Sequence, residues 1–146
     1  MRIALGCDHA AVEMKHHIED HLKKRGIETV NFTPIVDEEN HDYPVYARKA
    51  AIAVKTGACD FGILICGTGV GMAMAANKIE GIRAASCSEA YTAKLAKEHN
   101  NANILCFGAR VVGLEVAKMI VDVWLDAEFL GGRHARRVGL IEGNED

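Results

Sequence analysis

The segment Ile63-Leu64-Ile65-Cys66-Gly67-Thr68-Gly69-Val70-Gly71-Met72 indicates the organisation of the whole chain. Three apolar residues of strand character lead into a cysteine, and three glycines then alternate with small side chains before an alanine-rich helical segment. The pattern predicts a strand, a tight turn and a helix start. Glycine lets backbone N–H groups approach a bound group, and a helix N-terminus adds unpaired donors and partial positive charge. The turn is therefore a candidate anion site, and its field favours the thiolate form of Cys66.

Apolar segments alternate with amphipathic segments along the rest of the chain. Strands are predicted at residues 2–6, 27–32, 61–65, 82–87 and 103–107. Helices are predicted at 10–25, 43–56, from the glycine turn to 78, from a Ser88 cap to 98, and at 113–126, with a polar loop at 33–42. This alternation predicts an α/β fold, namely a three-layer Rossmann-like sandwich with a five-stranded parallel sheet and helices on both faces. No repeat or linker interrupts it, so we expect one domain over residues 1–146.

The overall composition argues against several classes of protein. Apolar residues make up 49% and charged residues 25% of the 146 positions, and the net charge is −3. Neither nucleic acid nor a membrane is therefore an expected partner. The chain opens on a strand-like segment without a signal-peptide pattern, and no apolar run reaches membrane-spanning length, so we expect a cytoplasmic protein.

Cysteines and histidines show no metal-binding spacing. The five cysteines form an odd set without a CxxC pair, which indicates free thiols, and the chain contains no HExxH motif. His17 and His21 share a helix face, but without a third ligand they are interpreted as a solvated surface pair. We expect no metal and no other cofactor, and we assign four cysteines to the core: Cys7, Cys59, Cys87 and Cys106.

A basic cluster near the C-terminus is a candidate phosphate site. The segment Gly131-Gly132-Arg133-His134-Ala135-Arg136-Arg137 contains three arginines and a histidine within five residues. Arg133 and Arg137 are four residues apart, which makes them neighbours on a helix face, and two guanidinium groups at that spacing suit a phosphate dianion. The alternative is a solvated basic end of a C-terminal helix.

A thiolate beside an oxyanion site supports either nucleophilic attack or removal of a proton next to a carbonyl. The sequence disfavours a cysteine-dependent phosphatase, because the position that needs an arginine is Met72. The glycines give GxGxG, which does not match the dinucleotide pattern GxGxxG. Proton abstraction fits better, since amide donors can hold the negative oxygen of an enediolate.

A second proton carrier is needed for the oxygen atoms of a sugar. His99 is a candidate acid or base because imidazole exchanges protons near neutral pH, although a lone histidine near a helix end is more often a structural cap. Open parallel sheets bind ligands at the carboxyl ends of their strands. We expect Asp8, His9, Cys66 and the His99-Asn100 pair to meet there.

A set of ordered motifs covers nearly the whole chain: Gly6-Cys7-Asp8-His9, Asp42-Tyr43-Pro44, residues 65–71, Ala76-Asn77-Lys78, Gly81-Ile82-Arg83-Ala84, Glu98-His99-Asn100, Phe107-Gly108-Ala109-Arg110-Val111 and Gly131-Gly132-Arg133-His134. With these motifs the chain resembles the ribose-5-phosphate isomerase B family, which also includes the galactose-6-phosphate isomerase subunits. It is similar to the branch of that family that uses a cysteine as base. Another branch replaces the cysteine and has Glu at the position of Met72. In this chain the resemblance therefore leaves only the Cys66 thiol as the base.

The resemblance implies interconversion of ribose 5-phosphate and ribulose 5-phosphate through an enediolate, without a metal. It implies that Cys66 moves the proton between C1 and C2, and that His99 donates a proton in ring opening with help from Thr68 and Asp8. The implied substrate contacts are sugar hydroxyls with Asp8, His9, Tyr43 and Asn100, oxyanion amides from Gly67, Thr68, Gly69, Val70 and Gly71, and phosphate with Arg133 and Arg137 near His9, His134 and Arg110.

The same resemblance implies a homodimer, in some members a tetramer, with active sites shared between subunits and the region from His99 to Arg110 across the interface. Phe32-Thr33-Pro34 and Ala11 depart from the family pattern at the expected pocket edge. A six-carbon aldose 6-phosphate of the allose or galactose type therefore stays open as the substrate. The alternative from another class is a non-catalytic phosphate- or nucleotide-binding module.

Overall fold

The computed structural model describes residues 1–34 and 42–144, and a five-stranded parallel sheet forms its centre. The strands are β1 (Arg2–Cys7), β2 (Glu28–Phe32), β3 (Phe61–Cys66), β4 (Ala84–Ser86) and β5 (Ile104–Gly108). Their order across the sheet is β2-β1-β3-β5-β4, and every pairing is parallel. Because β3 is the central strand, the glycine turn that follows it lies at the middle of one sheet edge.

Helices cover both faces of the sheet. On one face, α1 (Val12–Lys24), α4 (Ala90–Glu98) and α5 (Leu114–Asp126) pack with Ile63 and Ile65 of β3. On the other face, α2 (Tyr43–Lys55) and α3 (Val70–Ala76) pack with Leu64 and Cys66. Successive strand side chains point to opposite faces, so a strand covered on both sides is apolar throughout. The predicted three-layer α/β sandwich is confirmed. A 3-10 turn (His9–Ala11) precedes α1, and the last helix is α6 (Arg133–Ile141).

The strand β4 and the helix α3 are both shorter than predicted. β4 covers residues 84–86 instead of 82–87, since the Arg83 N–H donates to the Asn103 side chain at 2.8 Å. α3 ends at residue 76 instead of 78, because the next N–H groups, of Lys78 and Ile79, donate to carbonyls only three residues back, at 3.3 and 3.0 Å. The Asn77 side chain accepts the Ala84 N–H at 2.7 Å and donates to the Ala84 carbonyl at 2.9 Å, which ties the end of α3 to the edge strand.

The start of α4 also differs from the prediction. Glu89, rather than Ser88, is the N-cap, and its carboxylate accepts the Thr92 N–H at 2.8 Å. Thr92 is the third residue of the helix, where a cap side chain normally bonds. Ser88 therefore lies one residue too early to make this contact.

Residues 35–41 of the predicted loop at 33–42 lie outside the described residues. In the two ranges that are described, no helix has the length and apolar character needed to cross a bilayer. The cysteines are all free and buried.

Candidate active site

The turn after β3 holds the Cys66 thiol against backbone donors. The Gly69 N–H lies 3.0 Å from the Cys66 sulfur, and the Val70 N–H donates to the Thr68 hydroxyl at 3.3 Å. Within residues 1–34 and 42–144, the N–H groups of Gly67, Thr68 and Gly71 have no acceptor. These three are donors that a bound oxyanion can use. The N–H groups of Gly69 and Val70, which the resemblance also implied as oxyanion donors, are instead engaged within the turn.

Glycine is required at position 69 for two independent reasons. Gly69 has φ +84°, a left-handed conformation that other residues rarely adopt. A Cβ atom there would also lie 2.7 Å from the Phe107 Cα atom of β5. The turn thus rests directly on the neighbouring strand, which fixes its distance from the sheet.

Three side chains of the same chain border this turn. Asp8 follows β1, its N–H donates to the Ile65 carbonyl at 3.3 Å, and its carboxylate accepts the Ala10 N–H at 2.9 Å. The Tyr43 hydroxyl would lie 2.8 Å from a Cβ atom at Gly71, so the phenol packs across the start of α3. An Arg110 guanidinium nitrogen lies 3.5 Å from the corresponding position at Gly67.

The position of Arg110 corrects one expectation. The resemblance implied that the whole region from His99 to Arg110 lies across a subunit interface from Cys66. Arg110 instead follows β5 and contacts the turn of its own chain, because β5 runs parallel to β3 and ends beside it, with Gly108 paired with Cys66. His9 is exposed in the 3-10 turn next to Asp8, on the same sheet edge.

His99, His134 and the two candidate arginines form a second group. The rings of His99 and His134 are stacked, with centroids 4.2 Å apart and planes 8° from parallel. Burial lowers the pKa of His134, and the neighbouring His99, Arg133 and Arg137 lower it further. The side chains of Arg133 and Arg137 themselves are exposed on α6. This group is therefore a concentration of positive charge open to an anion.

The two groups lie at opposite edges of the sheet in one chain. A helix that connects parallel strands runs back to the edge where the next strand begins. His99 is the C-cap of α4, close to the start of β5, whose first residue Ile104 pairs with Gly62. Cys66 lies four residues beyond Gly62 in β3, which is about 13 Å along the strand. The expectation that His99 and Asn100 meet Cys66 at the carboxyl edge is thus wrong within one chain.

Asn100 borders a different cleft, of about 580 Å³, together with Asn77, Lys78 and Arg83. Cys66 is not among the residues that line this cleft. Cys66 is 5% exposed. Among the described residues, no three His, Cys, Asp or Glu side chains converge on a possible metal position.

Comparison with known proteins agrees with this arrangement of motifs. The model of the Ribose/Galactose Isomerase family matches residues 3–141. The chain belongs to this family. It is 54% identical to ribose-5-phosphate isomerase B of Escherichia coli (strain K12), over 99% of this chain and 96% of that protein.

Other members of the Ribose/Galactose Isomerase family are similar in sequence and in structure. The chain is 46% identical to a D-erythrulose-4-phosphate isomerase of Pectobacterium atrosepticum, over 97% of this chain and 93% of the relative. The crystal structure of ribose-5-phosphate isomerase B from Mycoplasma genitalium with bound ribulose-5-phosphate superposes with a TM-score of 0.92 at 43% identity, and covers 97% of this chain and 94% of that one. The names of these relatives thus include both a four-carbon and a five-carbon sugar phosphate.

Proposed function

We propose that the protein interconverts ribose 5-phosphate and ribulose 5-phosphate by proton transfer through an enediolate. The observation that carries the proposal is the Cys66 sulfur, 3.0 Å from the Gly69 N–H and beside unpaired amides of the same turn. Hydrogen-bond donors beside a thiol favour its thiolate form, which can act as a base. Donors without a partner can stabilise the negative oxygen of an enediolate. The M. genitalium relative with bound ribulose-5-phosphate supports this substrate class.

In the proposed reaction the Cys66 thiolate removes the proton from C2 of the open-chain aldose and returns it to C1. The amides of Gly67, Thr68 and Gly71 stabilise the negative oxygen that forms between these steps. Each such donor is typically worth about 3 kcal/mol in the transition state. Asp8 and Thr68, which lie beside the turn, are assigned to assist His99 in moving protons at the sugar oxygens.

The substrate contacts follow from the residues on each sheet edge. His9, Tyr43 and Arg110 border the thiol turn of one chain, whereas His99, Asn100, Arg133, His134 and Arg137 belong to the opposite edge. We propose that a second copy brings its opposite edge to the turn, so that a homodimer has two equivalent shared sites. His99 of the second copy would then donate the proton for ring opening, and the arginines would bind the phosphate.

One departure from the family pattern has little influence on the choice of sugar. Ala11 is only 1% exposed and packs into the core, so it does not face a substrate. Phe32 is half-buried at the end of β2, next to the segment 35–41 that lies outside the described residues.

The test is a panel of four-, five- and six-carbon aldose phosphates, assayed for ketose formation with a chelator present. We expect ribose 5-phosphate to give the highest kcat/KM and the chelator to have no effect. The control variant Cys66→Ala should lose about 10²- to 10⁴-fold in kcat while substrate affinity changes little. Unchanged turnover by Cys66→Ala would refute the base assignment, and binding without turnover by the wild type would favour the non-catalytic module.

A further inference from the structure

We propose that the segment Gly108-Ala109-Arg110 is a brace that aims the amides of the Cys66 turn, and that Gly108 is its positioning residue. This inference rests on the proposed function, because it concerns the donors assigned there to the enediolate. Gly108 has no side chain, and the Ala109 side chain is assigned no contact with the substrate. Their contribution is made through the backbone of the turn.

Two hydrogen bonds connect the brace to the turn. The Ala109 N–H donates to the Cys66 carbonyl at 2.8 Å, and the Arg110 N–H donates to the Gly67 carbonyl at 3.1 Å. The described peptide bonds are all trans. In a planar trans peptide the N–H points away from the C=O of the same unit.

The direction of the catalytic donors follows from this geometry. Because the Cys66 and Gly67 carbonyls point toward the brace, the N–H groups of Gly67 and Thr68 must point away from it. These are two of the N–H groups without an acceptor in the described ranges. If either carbonyl turned round, it would present an oxygen where the proposed mechanism requires a donor.

Gly108 is needed because of space rather than backbone conformation. A Cβ atom there would lie 2.5 Å from the Thr68 Cα atom and 2.6 Å from the Gly67 carbonyl oxygen, and both contacts are with backbone atoms. Gly108 is not among the glycines with positive φ. Any side chain at this position must therefore displace the turn itself.

The first experiment compares three glycine-to-alanine variants with ribose 5-phosphate as substrate. Gly108→Ala should lower kcat at least about tenfold and change KM by less than about threefold, because the turn moves while the phosphate contacts stay. Gly113→Ala is the matched control in the loop that follows β5, where a Cβ atom meets nothing within 4 Å. Gly62→Ala crowds the Ile104 side chain at 3.1 Å within the sheet, so it should lower stability without this loss of kcat.

The second experiment is hydrogen exchange on the unmodified protein, followed by NMR. The brace predicts slow exchange at Ala109 and Arg110 and fast exchange at Gly67 and Thr68. This pattern does not depend on the sugar, so it tests the brace even if ribose 5-phosphate proves to be the wrong substrate or Gly108→Ala does not fold. The proposal is overturned if Ala109 and Arg110 exchange as fast as exposed loop amides, if a folded Gly108→Ala keeps wild-type kcat, or if Gly62→Ala loses kcat equally.

Discussion

Lys97 is a buried cation with aromatic neighbours and no acidic partner among the described residues. Its side-chain nitrogen lies 3.1 Å from the centroid of the Phe61 ring and 4.5 Å from that of Trp124. It has no hydrogen-bond acceptor in the described ranges, and the residue is 5% exposed. Burial, with a smaller effect of the Arg83 charge, lowers the pKa of Lys97 to about 8. The ring faces offset part of the lost hydration.

We expect Lys97→Met to raise the free energy of unfolding at pH 7 by about 2 kcal/mol, because the unfolded lysine, with a pKa of about 10.4, binds its proton more readily. The loss of folding stability caused by burying the charged Lys97 is complete below pH 8, where the folded and the unfolded chain both hold the proton. It decreases as the pH rises from about 8 to 10.5, because the folded chain releases the proton first. The advantage of Lys97→Met should therefore shrink over that window. Urea unfolding at pH 7 and pH 10 checks this, with Lys94→Met, an exposed lysine of the same helix, as the control. An advantage independent of pH would contradict the assigned cause.

Arg137 is expected to act through its charge on the substrate phosphate. Arg137→Ala should raise KM for ribose 5-phosphate by about ten- to a hundredfold, since a charge-assisted contact is worth about 1.5 to 3 kcal/mol. Arg137→Lys keeps the charge but loses the fork geometry, so its KM should lie between the two. Steady-state kinetics of the three proteins provide the measurement. An unchanged KM in Arg137→Ala would contradict the phosphate contact and favour the alternative that α6 is a solvated basic helix.

The contact between α1 and α5 shows how two helices are held together by charge. His21, in α1, and Arg25, the C-cap of that helix, both contact the Asp122 carboxylate of α5, at 2.7 and 2.6 Å. Arg25 also pairs with Asp126 at 2.5 Å. His21 is thus not the solvated partner of His17 that the shared helix face predicts. The reason is tertiary, because α1 packs against a helix that is about a hundred residues away in sequence.

We expect Asp122→Ala to lower the free energy of unfolding by about 1 kcal/mol or somewhat more, because it removes the common acceptor of two donors. The effect is limited by solvent, since the Asp122 side chain is 37% exposed. Glu115→Ala on the same helix is the control, because its carboxylate is 85% exposed and pairs only locally with Lys118. Equal urea unfolding midpoints for Asp122→Ala and Glu115→Ala would contradict the role of Asp122 in holding α1 against α5.

Apolar periodicity predicts the strands and helices of this chain because each element buries a continuous apolar face. It predicts the ends less well, since those depend on side chains such as Asn77 and Glu89 that bond specific backbone groups. The pairing of Asn77 with Ala84 joins residues on separate elements. Such a contact has no signal in the local sequence pattern.

At the scale of the molecule, the sequence motifs predict the residues of the candidate site, but no single motif indicates at which edge of the sheet its residues lie. Cys66, Asp8 and Arg110 meet at one sheet edge because β1, β3 and β5 are parallel neighbours. His99 follows a helix, and helices return to the other edge. The relevant signal is present in the order of the elements, since a residue after a strand and a residue after a helix lie at opposite edges.

The central claim is that one active site combines Cys66 of one copy with His99 of another, and mixing two inactive variants tests it most directly. Cys66→Ala and His99→Asn should each have little activity alone. After mixed refolding, random pairing should restore about a quarter of wild-type kcat, because half of the dimers contain one intact site. The control is Cys66→Ala mixed with Asp8→Asn, whose defects lie on the same edge. The account predicts recovery in the first mixture and none in the control, and no recovery in the first mixture would contradict it.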